Sequence, residues 1–213
     1  MFNPIRPVLH FLIEWEPLEQ EDIDLIFAVS ASSTDAKKTL EMMKDTLQSI
    51  VARHGAMNIH YTVISYGAQT RTIVNFQDTF PNEDHLIEKL ESLSSVTGTP
   101  DLDLALEDAK KAFEGPGARS QARKILVFLV DSKSGSTDED ILKSAMSLEE
   151  VGVQVIAVAI GDKVEREELE KTTPYKKNVM EVSNKEDPES LAKNITNKIR
   201  ESKYFFVTPV GLC

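Results

Sequence analysis

Two short apolar runs, at residues 24–29 and 124–130, dominate the pattern of hydrophobic and polar positions in this 213-residue chain. The first run ends in small hydroxyl residues, Ser-Ala-Ser-Ser-Thr at positions 30–34, and the second ends in Asp131. A continuous apolar run that stops at polar residues is typical of a parallel strand buried on both faces. If the two strands are neighbours, their carboxyl ends form the crevice where open α/β sheets bind ligands. The sequence therefore predicts a functional crevice between residues 30–34 and Asp131.

The remaining periodicity predicts four more strands and six helices. The strands are predicted at 58–65, 70–76, 153–160 and 179–182. One helix of about 20 residues is predicted to be capped by Ser33 or Thr34 and ended by Gly55, and the others are predicted at 84–93, 101–113, 138–151, 165–171 and 187–199. The short turn at Tyr66-Gly67 requires antiparallel pairing of the two strands that it joins. We therefore predict an α/β fold with a doubly wound, mostly parallel six-stranded sheet, one antiparallel edge strand and helices on both faces.

The chain is predicted to contain one domain with two short extensions. The boundaries are an N-terminal extension at 1–21, a domain at 22–202 and a C-terminal tail at 203–213. The apolar residues 8–13 are interpreted as an added strand or a plug on the core, and they form too short a run for the core of a signal peptide. The apolar residues 204–207 are interpreted as a clasp beside 8–13, as a contact with a neighbouring domain, or as an exposed partner site.

The charge, the apolar runs and the cysteine content bear on the classes of partner. The net charge is −11, which disfavours nucleic acid or an anionic membrane surface as the main partner. No apolar run approaches the roughly 20 residues that a membrane-spanning helix needs, so we expect no membrane insertion. The single cysteine, Cys213, excludes an internal disulfide and leaves an intermolecular disulfide as an option.

Catalytic motifs are absent from the sequence. The four histidines are scattered through predicted elements of different kinds, without the cysteines of a zinc site: His10, His54, His60 and His85. There is no Gly-x-Ser-x-Gly elbow, phosphate-binding loop or dinucleotide fingerprint. The acidic triplet at 138–140 starts a predicted helix, and surface capping explains it better than acid–base catalysis. We therefore expect no enzymatic activity.

The order of five features resembles the von Willebrand factor type A domain, also called the integrin I-like domain. These are the strand at 24–27 entering a Ser-rich loop, the hairpin around Tyr66-Gly67, the loop Thr97-Gly98-Thr99 before Ala105-Leu106, the strand at 124–131 and the segment at 152–161. The resemblance covers about residues 22–202.

The resemblance implies a metal ion-dependent adhesion site at the crevice. In this family an Asp-x-Ser-x-Ser loop, a threonine from a second loop and an aspartate after the fourth strand hold Mg²⁺ or Mn²⁺. By resemblance, Ser32, Thr34, Thr99 and Asp131 correspond to metal ligands, and together with Ser30 they are the expected ligand-binding residues. Ser30 stands where the family has its first aspartate.

The replacement at Ser30 removes one carboxylate from the implied site. Mg²⁺ prefers hard, charged oxygen ligands, and loss of one unit charge weakens binding by about two decades or more. Asp35, Asp101 or Asp103 could compensate, although acids at helix starts ordinarily serve the helix dipole. Helix capping and turn formation alone would also explain the hydroxyls at 30–34. We expect no cofactor, with low-affinity Mg²⁺ or Mn²⁺ as the alternative.

Three interpretations of function remain open at this point. The resemblance implies an extracellular adhesion-type domain that binds collagen or another matrix protein with little or no metal dependence. It also allows a structural A domain of a larger matrix or fibrous protein whose top-face site is inactive. A third interpretation is an enzyme or an intracellular A domain that partners an ATPase.

Overall fold

A six-stranded sheet forms the centre of the domain. The computed structural model describes residues 21–32 and 35–201. The strands are β1 (Ile23–Ser30), β2 (Ile59–Tyr66), β3 (Thr70–Val74), β4 (Arg123–Val130), β5 (Val153–Ile160) and β6 (Val179–Val182). Their spatial order is β3-β2-β1-β4-β5-β6. Only the β2–β3 pair is antiparallel, so the predicted mostly parallel sheet with one antiparallel edge strand is confirmed.

Helices cover both faces of the sheet. They are α1 (Ala36–His54), α2 (Glu83–Leu90), α3 (Leu102–Glu114), α4 (Asp138–Glu150), α5 (Arg166–Leu169) and α6 (Pro188–Glu201), and a short 3₁₀ helix (Lys176–Asn178) precedes β6. Apolar side chains of α1, α2 and α6 form one core with the first face of the sheet. Those of α3 and α4, with Leu169 of α5, form a second core on the opposite face. All eight residues of both β1 and β5 are buried. Their continuous apolar runs are explained by this arrangement, because helices pack on both faces of the sheet.

Two local predictions need correction. The cap of α1 is not Ser33 or Thr34, because the helix begins at Ala36 with Asp35 at the N-cap position, and Asp35 makes no side-chain capping bond. The hairpin strand β3 ends at Val74 and not at residue 76. Phe76 instead turns into the second core, where its ring centroid lies 5.8 Å from that of Phe113.

Several sequence predictions fall on residues that the structure does not describe. Apart from Glu21, the predicted extension at 1–21 lies outside the described residues, as does the tail at 203–213. Ser33 and Thr34 lie outside them too. The domain boundaries therefore stay predictions. Within the described part of the chain, no helix is both long and apolar enough to cross a membrane.

A buried ion pair fixes the N-terminal edge of the sheet. The Asp24 side chain, in β1, is fully buried and accepts hydrogen bonds from the Arg119 backbone N–H at 2.6 Å and from Arg119 Nε at 2.8 Å. The same guanidinium donates to the carbonyl oxygens of Ile23 at 2.6 Å and Asn58 at 3.1 Å. Arg119 therefore ties the α3–β4 connection to the starts of β1 and β2.

A histidine between α1 and α6 couples stability to pH. His54 Nε2 lies 3.2 Å from Thr196 Oγ1, and burial, with Arg200 and Arg53 nearby, lowers the pKa of His54 from 6.5 to about 4. Between these values the unfolded chain binds a proton that the folded protein does not. The free energy of unfolding therefore falls as the pH drops from about 6.5 towards 4.

Replacement of His54 should reduce this pH dependence. After allowance for the solvent-exposed part of the ring, we expect His54 to account for about 1–2 kcal/mol of the stability lost between pH 7 and pH 4. Urea unfolding of the unaltered protein and of His54→Gln at both pH values isolates this contribution, because the carboxylates titrate equally in both. Identical pH dependence in the two proteins would contradict the assignment.

Candidate functional site

The two polar strand ends predicted from the sequence meet at one edge of the sheet. Strands β1 and β4 are parallel neighbours with Ser30 opposite Val130. The loops that follow the two strands therefore leave the sheet at the same level. The Ser32 backbone N–H then donates to Asp131 Oδ1 at 2.9 Å. Asp131 is 3% exposed. The crevice between β1 and β4 is therefore closed by a direct bond from one loop to the other.

A chain of hydroxyl groups continues this contact. Ser132 Oγ donates to Asp131 Oδ1 at 3.2 Å, and it lies 2.5 Å from Ser32 Oγ. Since the Ser132 proton is directed at Asp131, the Ser32 hydroxyl must donate to Ser132 Oγ. Asp131 Oδ1 thus accepts one backbone and one hydroxyl hydrogen bond, and both come from the loops that follow β1 and β4.

Ser30 is the last residue of β1 and directly precedes this rim. The side chain is fully buried, and its Oγ has no hydrogen-bond partner within the described structure. Because Val29 pairs with Ser65, Ser30 and Tyr66 occupy neighbouring positions at the ends of β1 and β2. Tyr66 is also fully buried, and its hydroxyl likewise lacks a partner among residues 21–32 and 35–201. We call the buried position of these two hydroxyls the floor of the crevice; within the described structure neither hydroxyl has a hydrogen-bond partner.

The environment of Tyr66 keeps its hydroxyl protonated. The Tyr66 ring packs edge-on against Phe128, with 6.0 Å between the ring centroids. Burial raises the pKa of Tyr66, and the negative charges of Glu168 and Asp131 raise it further. An additional negative charge at this floor would be poorly solvated unless a cation accompanied it.

Thr99, another predicted site residue, lies on the loop before α3. It is exposed, and no hydrogen bond in the described part of the chain links it to Ser32 or Asp131. A Cβ atom at the position of Gly135 would lie 3.3 Å from Thr99 Cγ2. Thr99 therefore packs against the β4–α4 loop. Thr34 lies outside the described residues. Its assignment to the site stays a prediction.

Sequence reasoning missed how the β4–α4 loop is held. Ser134 Oγ accepts a hydrogen bond from the Leu102 backbone at 3.1 Å, and Ser136 Oγ accepts one from the Asp103 backbone at 3.0 Å. The Ser134 backbone N–H donates to Glu168 Oε2 at 3.2 Å, and burial raises the pKa of Glu168. The alternating serines in the sequence were the available signal, but their partners on α3 and α5 are distant along the chain.

Two of the three acids that could have replaced the missing carboxylate are engaged elsewhere, and the third, Asp35, makes no side-chain capping bond. Asp101 Oδ1 accepts from the Leu104 backbone at 3.0 Å and from Ser136 Oγ at 2.9 Å. Asp103 Oδ1 accepts from Ser144 Oγ at 2.5 Å. Both carboxylates therefore serve the start of α3 and its contact with α4.

The described donor set does not fit a tightly bound divalent cation. No group of three His, Cys, Asp or Glu side chains is arranged to hold a metal within residues 21–32 and 35–201. The hydroxyl of Ser30 replaces a charged ligand with a neutral one, and Asp131 Oδ1 already accepts two hydrogen bonds. Because Mg²⁺ gives up its water shell reluctantly, one carboxylate with neutral hydroxyls provides little compensation for its dehydration.

Fold and sequence together identify the class of protein. Residues 24–198 match the von Willebrand factor type A domain, and the chain belongs to this family. Three mussel byssus structures of proximal thread matrix protein 1 share the fold; one has a TM-score of 0.75 at 22% identity and covers 84% of this chain and 48% of that chain. Another of these structures is described as having a zinc-occupied MIDAS motif.

Chains of collagen VI are among the relatives by sequence. The chain is 26% identical over 200 residues to the collagen alpha-6(VI) chain of Mus musculus, a match covering 91% of this chain and 9% of the relative. It is 23% identical over 167 residues to the collagen alpha-5(VI) chain of Homo sapiens, covering 76% of this chain and 6% of the relative. The chain therefore spans less than a tenth of the length of these relatives. This is a type A domain related to those of collagen VI.

Proposed function

We propose that this chain is a non-enzymatic protein-binding domain of the extracellular matrix. Its partner would be collagen or another matrix protein, bound with little or no dependence on a divalent metal. The kinship with collagen VI chains supports a matrix setting. The absence of a nucleophile–base motif from the sequence supports a binding role over a catalytic one.

One observation carries the metal-independent part of this proposal. Ser30 occupies the first position of the adhesion motif as a buried, neutral hydroxyl, while the Asp131 carboxylate accepts the Ser32 N–H. In our proposal Asp131 therefore organises the rim by hydrogen bonding and does not hold a cation for a partner's carboxylate. Ser30, Ser32, Thr34, Thr99 and Asp131 form the crevice, and the partner contacts its exposed rim or a side face of the domain.

Two variants of Asp131 separate hydrogen bonding from metal binding. Asp131→Asn keeps an oxygen that can accept the Ser32 N–H but removes the charge that a metal would need. We expect Asp131→Asn to bind immobilised collagen within about threefold of the unaltered domain, in EDTA as in Mn²⁺. Asp131→Ala removes the acceptor and serves as the control for rim disorder. Surface plasmon resonance in the two buffers measures these affinities.

The outcomes of this experiment have distinct meanings. Binding that requires Mn²⁺ and disappears in Asp131→Asn would contradict metal independence. Binding by all variants in both buffers would place the contact on a side face. Absence of binding to any tested collagen, fibronectin or laminin would favour the second candidate, a structural A domain with an inactive top face. Asp131 is buried and accepts a hydrogen bond from the Ser32 backbone N–H. This also favours the structural candidate, because a partner has little access to the carboxylate.

A further inference from the structure

Helix α6 carries the one Asn-x-Ser/Thr triplet of the 213-residue sequence, Asn194-Ile195-Thr196. This triplet is the acceptor sequence for N-linked glycosylation when its middle residue is not proline. None of the other asparagines in the chain is followed two positions later by serine or threonine. The sequence therefore singles out Asn194 as the candidate acceptor of a glycan.

Asn194 lies on the open face of α6. Its side chain is exposed, as are those of Ser190, Asn197 and Glu201, which lie on the same side of the helix at spacings of three and four residues. None of the large apolar side chains that are exposed in the described structure belongs to α6. A bulky, hydrophilic glycan on Asn194 would therefore project into solvent without covering apolar surface.

Thr196, the third residue of the triplet, lies on the opposite side of the helix. Its side chain is fully buried, and its Oγ1 lies 3.2 Å from Nε2 of His54 in α1. In an α-helix, two residues that are two positions apart point about 200° away from each other. A single enzyme site therefore cannot contact the amide of Asn194 and the hydroxyl of Thr196 together while α6 is packed on α1.

We propose that Asn194 carries an N-linked glycan and that this glycan is attached before the domain folds. The proposal rests on the extracellular setting of the proposed function, because this modification belongs to secreted chains. The donor is an oligosaccharide linked to a lipid diphosphate. The Asn194 Nδ2 nitrogen forms a bond to the anomeric carbon of the first sugar and gives up one proton. The bond from that carbon to the diphosphate oxygen breaks, and the lipid diphosphate leaves with the electron pair.

Burial of Thr196 determines the order of attachment and folding. The transferase recognises the hydroxyl of Thr196 as well as the amide of Asn194, and this hydroxyl is accessible only when α6 is unformed or separated from α1. After folding, the glycan lies on the outer face of α6, on the side away from His54. It closes this face to protein partners, which leaves the rim or another side of the domain for a matrix protein.

Expression in animal cells with an added secretion signal tests the site directly. A reporter acceptor triplet appended after residue 213 receives a glycan in chains that enter the secretory pathway. We expect most of these chains to carry a second glycan, which peptide N-glycosidase removes while converting Asn194 to aspartate, as detected by peptide mass. Asn194→Gln and Thr196→Val should each abolish the second glycan. The matched control Asn197→Gln replaces an exposed asparagine of the same face and should keep it.

The outcomes separate this proposal from the proposed function. Chains that carry the reporter glycan but none at Asn194 would overturn the proposal, as would a second glycan that persists in Asn194→Gln. Because the added signal directs the chain into the secretory pathway, this result does not depend on what the domain binds. A domain that carries the glycan but binds no matrix protein would contradict the proposed function and leave the Asn194 assignment intact.

Purified transferase with a lipid diphosphate-linked oligosaccharide tests the order of events on unglycosylated protein from bacteria. Arg119→Ala removes the guanidinium that pairs with the buried Asp24, so this variant is unfolded more often. We expect Arg119→Ala to be glycosylated at least tenfold faster than the unaltered domain. Met57→Gln, at a position that is 89% exposed, is the control and should match the unaltered domain. Equal rates for Arg119→Ala and the unaltered domain would contradict attachment before folding, and no modification of Arg119→Ala would overturn Asn194 as the acceptor.

Discussion

Arg119→Ala should lower the free energy of unfolding by about 3–5 kcal/mol, because it leaves the buried carboxylate of Asp24 without its counter-charge. The carboxylate is fully buried and would keep only the backbone N–H of residue 119. The substitution also removes the donors to the Ile23 and Asn58 carbonyl oxygens. Urea unfolding monitored by circular dichroism measures the loss.

Two controls separate burial of charge from loss of a surface side chain. Arg53→Ala removes an arginine whose pairing with Glu189 is half exposed, and it should change stability by no more than about 1 kcal/mol. Adding Asp24→Asn to Arg119→Ala should recover part of the loss, because the buried group is then neutral. If Arg119→Ala were as mild as Arg53→Ala, the ion pair would not be holding this edge of the sheet.

Ser30→Asp should give the domain a measurable response to divalent metal. The substitution restores the second carboxylate of the adhesion motif, which should strengthen Mn²⁺ or Mg²⁺ binding by about 100-fold. In chelator the variant should melt below the unaltered protein, because a new carboxylate would be buried near Asp131. At 100 times the dissociation constant, the metal adds about 2.7 kcal/mol, or about 5–11 °C in Tm.

Matched substitutions at the same position identify the cause. The Asn side chain has nearly the same shape as the Asp side chain but carries no charge. The Ser30→Asn variant should therefore show no metal response. Ser30→Ala removes a hydroxyl that has no partner in the described structure, so its stability should equal or exceed that of the unaltered protein. Equal metal shifts in all of these variants would show that Ser30 is not what weakens the site.

The fold was predictable from local patterns, because each strand carries its own signal. The uninterrupted apolar run of β5 and the short turn at Tyr66-Gly67 indicate a covered parallel strand and a hairpin without any knowledge of their neighbours. The shared way in which both runs end is compatible with neighbouring strands, but the structure is what establishes that β1 and β4 are adjacent. These signals depend on burial and chain geometry, and both are visible in a few consecutive residues.

The interactions that hold the edges were not predictable in the same way. Asp24 and Arg119 are 95 positions apart, and no local sequence pattern identifies either residue as the partner of the other. Asp131 is a predicted site residue, and its bond to Ser32 N depends on the exact path of two loops. The cap of α1 was misplaced because Ser33, Thr34 and Asp35 are all favourable capping residues, and composition alone cannot choose among them.

The kinship with collagen VI does not by itself decide between the two candidate functions. A binding domain and a structural domain of one matrix chain share the same fold, the same relatives and the same acidic surface. They differ at the rim between Ser32 and Asp131. If the rim binds a partner, the hydrogen-bonded state of Asp131 should matter; if the domain is structural, the rim only closes the sheet.

Thermal melting of the unaltered domain in EDTA, Mg²⁺ and Mn²⁺ tests the central claim most directly. The claim is that replacement of a carboxylate by Ser30 leaves this type A domain without a functional metal site. We predict melting temperatures that agree within about 1 °C at millimolar metal, which corresponds to well under 1 kcal/mol of binding. A rise of about 5 °C or more in Mg²⁺ or Mn²⁺ would contradict the claim, and it would show that the rim holds a cation despite Ser30.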